Sequence, residues 1–152
     1  MKNKYINIKL KSNRVIGNNQ KCFIIAEAGV NHNGKLSYGK KLIDIAAAAG
    51  ADAVKFQTFN ADEIILKKAP KAKYHIETTG SDKQQSWYEL LKTQEISFEM
   101  HKQLIEYCKK KKILFMSTPY DKKSVDLLNN LDVEIFKIAS SDINNFQLIE
   151  YI

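Results

Sequence analysis

Short apolar runs alternate with stretches of helical periodicity along most of this chain, and that alternation constrains the fold more than any other feature. The runs are residues 22–26, 53–57, 113–116 and 134–138. Continuous apolar runs of this length read as strands buried on both faces, as a parallel sheet requires. Between them lie amphipathic segments with helix signals. Ser37 is expected to cap the first, with Leu42, Ile43, Ile45, Ala46 and Ala49 as its apolar stripe and Gly50 as its stop. Trp87, Leu90 and Leu91 mark a short helix. Ser97 caps a clearer one, with Met100, Leu104, Tyr107 and Cys108 at i, i+4, i+7 and i+8. Asp121 caps another, with Val125, Leu128 and Leu131 inward. A last helix is expected from Asn145, with Phe146, Ile149 and Ile152 on one face. Strand followed by helix, repeated, means α/β.

Before this rhythm stands a leader, residues 1–20. Residues 5–10 alternate, placing Ile6, Ile8 and Leu10 on one face of a strand, and Val15-Ile16-Gly17 pairs back as a hairpin. The leader is expected to cover one end of a core formed by residues 21–152. Residues 60–84 form a long connection, and long loops are often lids or binding loops.

Composition narrows the partners. The chain has 152 residues, 24 Lys+Arg against 17 Asp+Glu, and a net charge of +7. The lysines cluster at Lys67, Lys68, Lys71 and Lys73 in the long connection, and at 109–112, where cations oppose the negative end of a helix dipole. No aromatics interleave with them and no helix-turn-helix or finger pattern is present, which argues against nucleic acid. No apolar run approaches the ~20 residues of a membrane span. No signal-peptide core follows the basic N-terminus. Cys22 and Cys108 form neither a disulfide framework nor a zinc pattern. A protein of the cytoplasm is expected.

Polar residues interrupt the apolar runs at their C-terminal ends. Glu27 closes the first, Lys55 and Gln57 the second, and Thr118 follows the third. Lys137 lies in the fourth, with Ser140 and Asp142 beyond it. Parallel α/β sheets carry their sites on that edge. Two lysines with small hydroxyls suit a compact anion. The alternative is a structural Lys–Glu network, since a buried charge must be paired. Neither GxxxxGK[ST] nor GxGxxG is present. His32 reads either as a loop histidine bonded to backbone or as a site residue. His101 is expected at the surface, and His75 shows no metal-ligand spacing with either. Trp87 reads as packing or as a lid.

The segments AEAGVNHNG (26–34), VKFQT (54–58), STPYD (117–121) and FKIASSD (136–142) together resemble the sialic acid synthase family, the bacterial synthases of N-acetylneuraminate, legionaminate and pseudaminate. The resemblance runs from about Cys22 to Ile152, and residues 67–85 look most like the legionaminate or spore-coat branch. It implies a (β/α)8 TIM barrel followed by an antifreeze-like domain, in a domain-swapped homodimer. It also implies condensation of phosphoenolpyruvate with an N-acylated mannosamine-type sugar. By that resemblance Lys55, Thr118, Lys137 and Ser140 surround the phosphate and carboxylate of phosphoenolpyruvate. Glu27 is the acid near the reacting carbons, and Gln57 belongs to the same pocket. Asp142 stands where relatives often carry Glu and would contact sugar hydroxyls. Asn31 and His32 have supporting roles, and residues 74–86 should meet the sugar. A divalent metal, Mn²⁺ or Mg²⁺, is implied, with ligands expected outside this chain.

A whole barrel takes about 250 residues, so this chain is expected to hold about four βα units, half a barrel, plus the leader. Two other readings stand beside the synthase: a related 3-deoxy sugar acid synthase, and a non-catalytic half-barrel that binds anions or a partner.

Overall fold

The computed structural model describes residues 6–71 and 85–152. Tyr5, Lys73, His75 and nearly all of the 67–85 and 74–86 segments singled out above lie wholly or partly outside them.

The leader forms the expected hairpin. Strand β1 (Asn7–Lys9) pairs antiparallel with β2 (Val15–Gly17). Only Leu10 of the expected apolar face is buried; Ile6 and Ile8 are exposed. Polar contacts hold the hairpin down instead. Arg14 Nε lies 3.2 Å from Asp52, and Lys11 contacts both Asp132 and Glu134. These partners stand where strands begin, so the hairpin sits at the N-terminal edge of the sheet.

The main body is α/β. Strands β3 (Ile25–Gly29), β4 (Ala53–Thr58) and β5 (Leu114–Pro119) form a parallel sheet in the order β3-β4-β5. Helices α1 (Leu36–Ala48), α4 (Phe98–Lys111) and α5 (Lys122–Asn130) pack on one face. Two short helices, α2 (Ala61–Ile64) and α3 (Trp87–Gln94), stand beyond the end of β4, and α6 (Phe146–Tyr151) follows a 3-10 turn at Ser140–Asp142. The core on the helix side joins Ile43, Ala46, Leu104, Cys108 and Leu128 to Val54, Phe56 and Phe115. Phe56 and Phe115 stack there with centroids 5.4 Å apart. Among the described residues no helix is long and apolar enough to cross a membrane.

Several expectations shift. The first strand starts at Ile25 rather than Cys22, because Asp52 intercepts the chain earlier: its carboxylate accepts from the Ile24 N–H at 2.8 Å. It is also an edge strand among the described residues, and Ile24 and Ile25 are exposed rather than buried. Helix α1 begins two residues earlier than a cap at Ser37 implied. Backbone turns lead the chain in, with the Lys35 N–H bonded to the His32 carbonyl and no side-chain cap. Within it Ile43 and Ala46 are buried, but Ile45 and Ala49 are exposed.

The fourth strand, residues 134–138, does not form. Only a single bridge joins Phe136 to Ser117, with the Lys137 N–H donating to the Ser117 carbonyl at 3.0 Å. The segment is taken up at both ends: Glu134 contacts the hairpin at Lys11, and Ala139 enters the 3-10 turn. In α6, Leu148 is the buried residue, whereas Phe146 is 70% exposed and Ile152 is exposed too. The caps at Ser97 and Asp121 stand as expected, and Asn145, where the last helix was expected to start, caps it too; each accepts from a main-chain N–H in the first turn. Lys109, Lys110 and Lys111 fill the last turn of α4.

Candidate functional site

The register of the sheet places the site. Glu27 stands opposite Lys55 and Lys55 opposite Met116, while Gln57 stands opposite Thr118. Side chains alternate along a strand. Val54, Phe56 and Thr58 therefore go to the helix side, and Lys55 and Gln57 to the other face. Lys55 Nζ contacts the Glu27 carboxylate directly; the lysine side chain is 12% exposed and the glutamate 55%. A nearly buried ammonium needs that partner. The β3 strand then turns at Gly29, with φ +53°. A Cβ there would lie 3.5 Å from Glu27 Oε1 and 3.8 Å from Gln57 Nε2. Those are ordinary contact distances, so it is the left-handed backbone that calls for glycine where the glutamate and the glutamine amide converge.

Thr118 is buried beside Gln57 in the register. Phe136 packs with the helix-side core, and its neighbour Lys137 is tied to β5 by its main-chain N–H, which donates to the Ser117 carbonyl. Lys137 is half-buried, and among the described residues no carboxylate pairs with it. Asp142 is half-buried and accepts from Asn145 Nδ2 at 3.2 Å. Ser140 is exposed, and the neighbouring Ser141 faces the cleft in its place.

That cleft has a volume of about 700 Å³. Gln57, Tyr120 and Asp142 supply polar groups, and Phe59, Trp87 and Leu90 supply an apolar wall. Helix α3 is fixed there by a capping box at Ser86 and Glu89 and by Lys92, which pairs with Asp62 at 2.8 Å and Glu95 at 3.0 Å. The loop after β3 packs against it so closely that a Cβ at Gly34, φ +69°, would lie 2.3 Å from the Thr93 carbonyl. The structure therefore joins Glu27 to Lys55 and gathers Gln57 with Asp142. Tyr120 escaped sequence reasoning, although the STPYD segment contains it. Trp87 takes a place in the cleft wall, the lid-like alternative.

Behind the site the helix side holds a closed polar chain. His101 Nδ1 lies 2.9 Å from the Ser97 carbonyl, which can only accept, so Nδ1 carries the proton. Nε2 then accepts from Thr58 Oγ1 at 2.8 Å, and Thr58 accepts from Ser117 Oγ at 2.7 Å. His101 is fully buried, not at the surface as expected: its start-of-helix position turns it onto β4 and β5. His32 is also fully buried. Its Nδ1 accepts from the Gly34 N–H at 3.0 Å, the backbone-bonded alternative, which leaves the proton on Nε2. Burial lowers the pKa of each imidazole to about 4. Both stay neutral and inside.

Among the described residues no group of three His, Cys, Asp or Glu is placed to hold a metal ion. His101 is committed through both nitrogens to Ser97 and Thr58, and His32 through Nδ1 to Gly34; among the described residues His32 Nε2 is buried with no hydrogen-bond partner and no second ligand is placed beside it. These residues do not fit the divalent ion by themselves, and no step below runs through one.

Residues 42–152 match the NeuB family model, and the chain belongs to the NeuB family. It is 50% identical over 133 residues to the N,N'-diacetyllegionaminic acid synthase of Campylobacter jejuni, covering 88% of this chain and 39% of that one. It is 43% identical to the spore coat polysaccharide biosynthesis protein SpsE of Bacillus subtilis, covering 93% of this chain and 36% of the relative. Among solved structures it is similar to the N-acetylneuraminic acid (sialic acid) synthetase of Leptospira borgpetersenii, solved with citrate. There the TM-score is 0.78 at 39% identity, over 97% of this chain and 46% of that one. The chain thus spans about two fifths of the length of its curated relatives.

Proposed function

We propose that this chain supplies the first four βα units of a (β/α)8 barrel that makes a nonulosonic acid from phosphoenolpyruvate and an N-acylated mannosamine-type sugar. The observation that carries this reading is the Glu27–Lys55 contact across paired positions of β3 and β4, on the sheet face that also bears Gln57 of the cleft. The names of its relatives support the same substrate class.

In the proposed reaction, C3 of phosphoenolpyruvate forms a bond to the sugar's aldehyde carbon. The aldehyde oxygen takes a proton and becomes a hydroxyl. Water adds to C2 and gives up a proton, and the C2–O bond to phosphate breaks, releasing phosphate. Lys55 and Lys137 balance the phosphate and carboxylate charges, with Thr118 completing the shell. When the anion arrives, Lys55 turns part of its charge from Glu27 to the phosphate. The glutamate is then a free carboxylate beside the reacting carbons, placed to hold a proton. Gln57 and Asp142 hold the sugar. The divalent ion is proposed to sit on ligands outside this chain, where it would polarise the aldehyde. The complete protein is proposed to work as a cytoplasmic homodimer.

Phosphate release from phosphoenolpyruvate by the complete protein carrying this chain, in the presence of N-acyl mannosamine-type sugars and a divalent ion, tests the reading. Lys55→Ala should lower kcat/KM for phosphoenolpyruvate on the order of a hundredfold, as truncation of a desolvated charge contact does. Unchanged kcat/KM in that variant would remove Lys55 from the anion site. No turnover by the wild type with any such sugar would sink the reading altogether.

A further inference from the structure

The best-anchored polar residue of the cleft that the reaction has not used is Tyr120. Its main-chain N–H donates to the Thr58 carbonyl at 3.1 Å. Its ring meets Phe59 edge-on with centroids 6.2 Å apart. The next residue, Asp121, caps α5 and accepts from the Asn60 N–H at 2.9 Å. Backbone and ring are therefore fixed from both sides. The side chain is half-buried and lines the cleft together with Gln57 and Asp142.

Its hydroxyl behaves unlike those of its neighbours. Tyr88, Tyr107 and Tyr151 each donate to an aspartate, at 2.7, 3.0 and 2.8 Å. Among the described residues no group accepts from Tyr120. Burial, then the negative charges of Glu27 and Asp142, raise the pKa of the phenol. It is thus a neutral donor in an apolar cleft, near two carboxylates but bonded to neither. An anion placed at this hydroxyl would be repelled by Glu27 and Asp142. A neutral ligand rich in oxygen would find a donor in the phenol and acceptors in the Asp142 carboxylate. Its C–H side would lie against an aromatic wall, which suits rings that are apolar on one side and polar at the edge.

We propose that Tyr120 is a specificity-determining residue for the neutral sugar, donating its hydroxyl hydrogen to a sugar oxygen while Phe59 and Trp87 cover the sugar's C–H side. This rests on the synthase reading above and adds a residue to it. The test is steady-state kinetics on the complete protein and its Tyr120→Phe variant, with the best-used N-acyl mannosamine-type sugar and with phosphoenolpyruvate varied separately. The variant loses one oxygen and keeps the ring, so its melting temperature should match the wild type. The sugar KM should rise about three- to tenfold, the effect of one neutral hydrogen bond, and the KM for phosphoenolpyruvate should hold. An unchanged sugar KM, or an equal rise for both substrates, would overturn this role and leave the synthase reading standing. A wild type that turns over no sugar would overturn both.

Discussion

On the helix side of the sheet, Thr58, Ser117 and His101 satisfy one another completely and are sealed from water. On the opposite face, Glu27 and Lys55 make one contact, Glu27 stays half open, and Gln57 and Asp142 look into a cleft. Adjacent residues of the same strands, Gln57 and Thr58 or Ser117 and Thr118, thus go to opposite faces. A polar group with all its partners inside the protein serves the fold. A polar group left with bonding capacity at a concave surface serves a ligand.

This contrast can be broken from either side. Replacing Leu104 by Ala, in the middle of the helix-side core, should cost the most stability, about 2–5 kcal/mol in denaturant unfolding. A loss well under 1 kcal/mol would mean that this core is not packed as described. Lys55→Ala should reverse the pattern, with activity falling steeply while the melting temperature moves little.

The histidines give a pH test. Burial lowers both from the ordinary 6.5 to about 4, so below pH 6.5 the unfolded chain binds protons that the folded one does not. Stability is therefore fully present above pH 6.5 and falls as pH drops toward 4. The slope is about 1.4 kcal/mol per pH unit for each histidine. Unfolding free energies that stay flat from pH 6.5 to 4.5 would contradict it. A smaller effect is expected for Thr58→Val, which leaves His101 Nε2 and the Ser117 hydroxyl without their partner and should cost about 1–3 kcal/mol. Thr58→Ser should recover most of it, and equal losses in the two variants would count against the hydrogen-bonded chain.

What could be read in the sequence was local or tied to strand ends. The caps at Ser97 and Asp121, and the start of the last helix at Asn145, need only the residues that follow them. The hairpin needs only its two short strands. Glu27, Lys55 and Gln57 stood out because a charge or amide in an apolar run must be explained. Long-range facts were not legible. His101 meets Thr58 across 43 residues, and nothing near His101 in sequence announces that partner. Residues 134–138 carry a strand pattern, yet the hairpin and the 3-10 turn hold their ends away from a ladder. Helix α6 was expected to bury Phe146, Ile149 and Ile152, and contact with α5, where Tyr151 bonds Asp126 at 2.8 Å, goes with burial of Leu148 instead. Tyr120 did not stand out because an aromatic residue does not show in sequence whether its hydroxyl has a partner.

The two imidazoles carry their protons on opposite nitrogens, His101 on Nδ1 and His32 on Nε2. Opposite tautomers give distinct ring-nitrogen resonances. An isotope-labelled sample would therefore contain two built-in reporters, one behind the strands that carry Gln57 and Thr118, the other beneath the loop that leads from Glu27. Their signals could follow, separately and without any added label, whether a ligand arriving at the cleft disturbs the scaffold on which it is held.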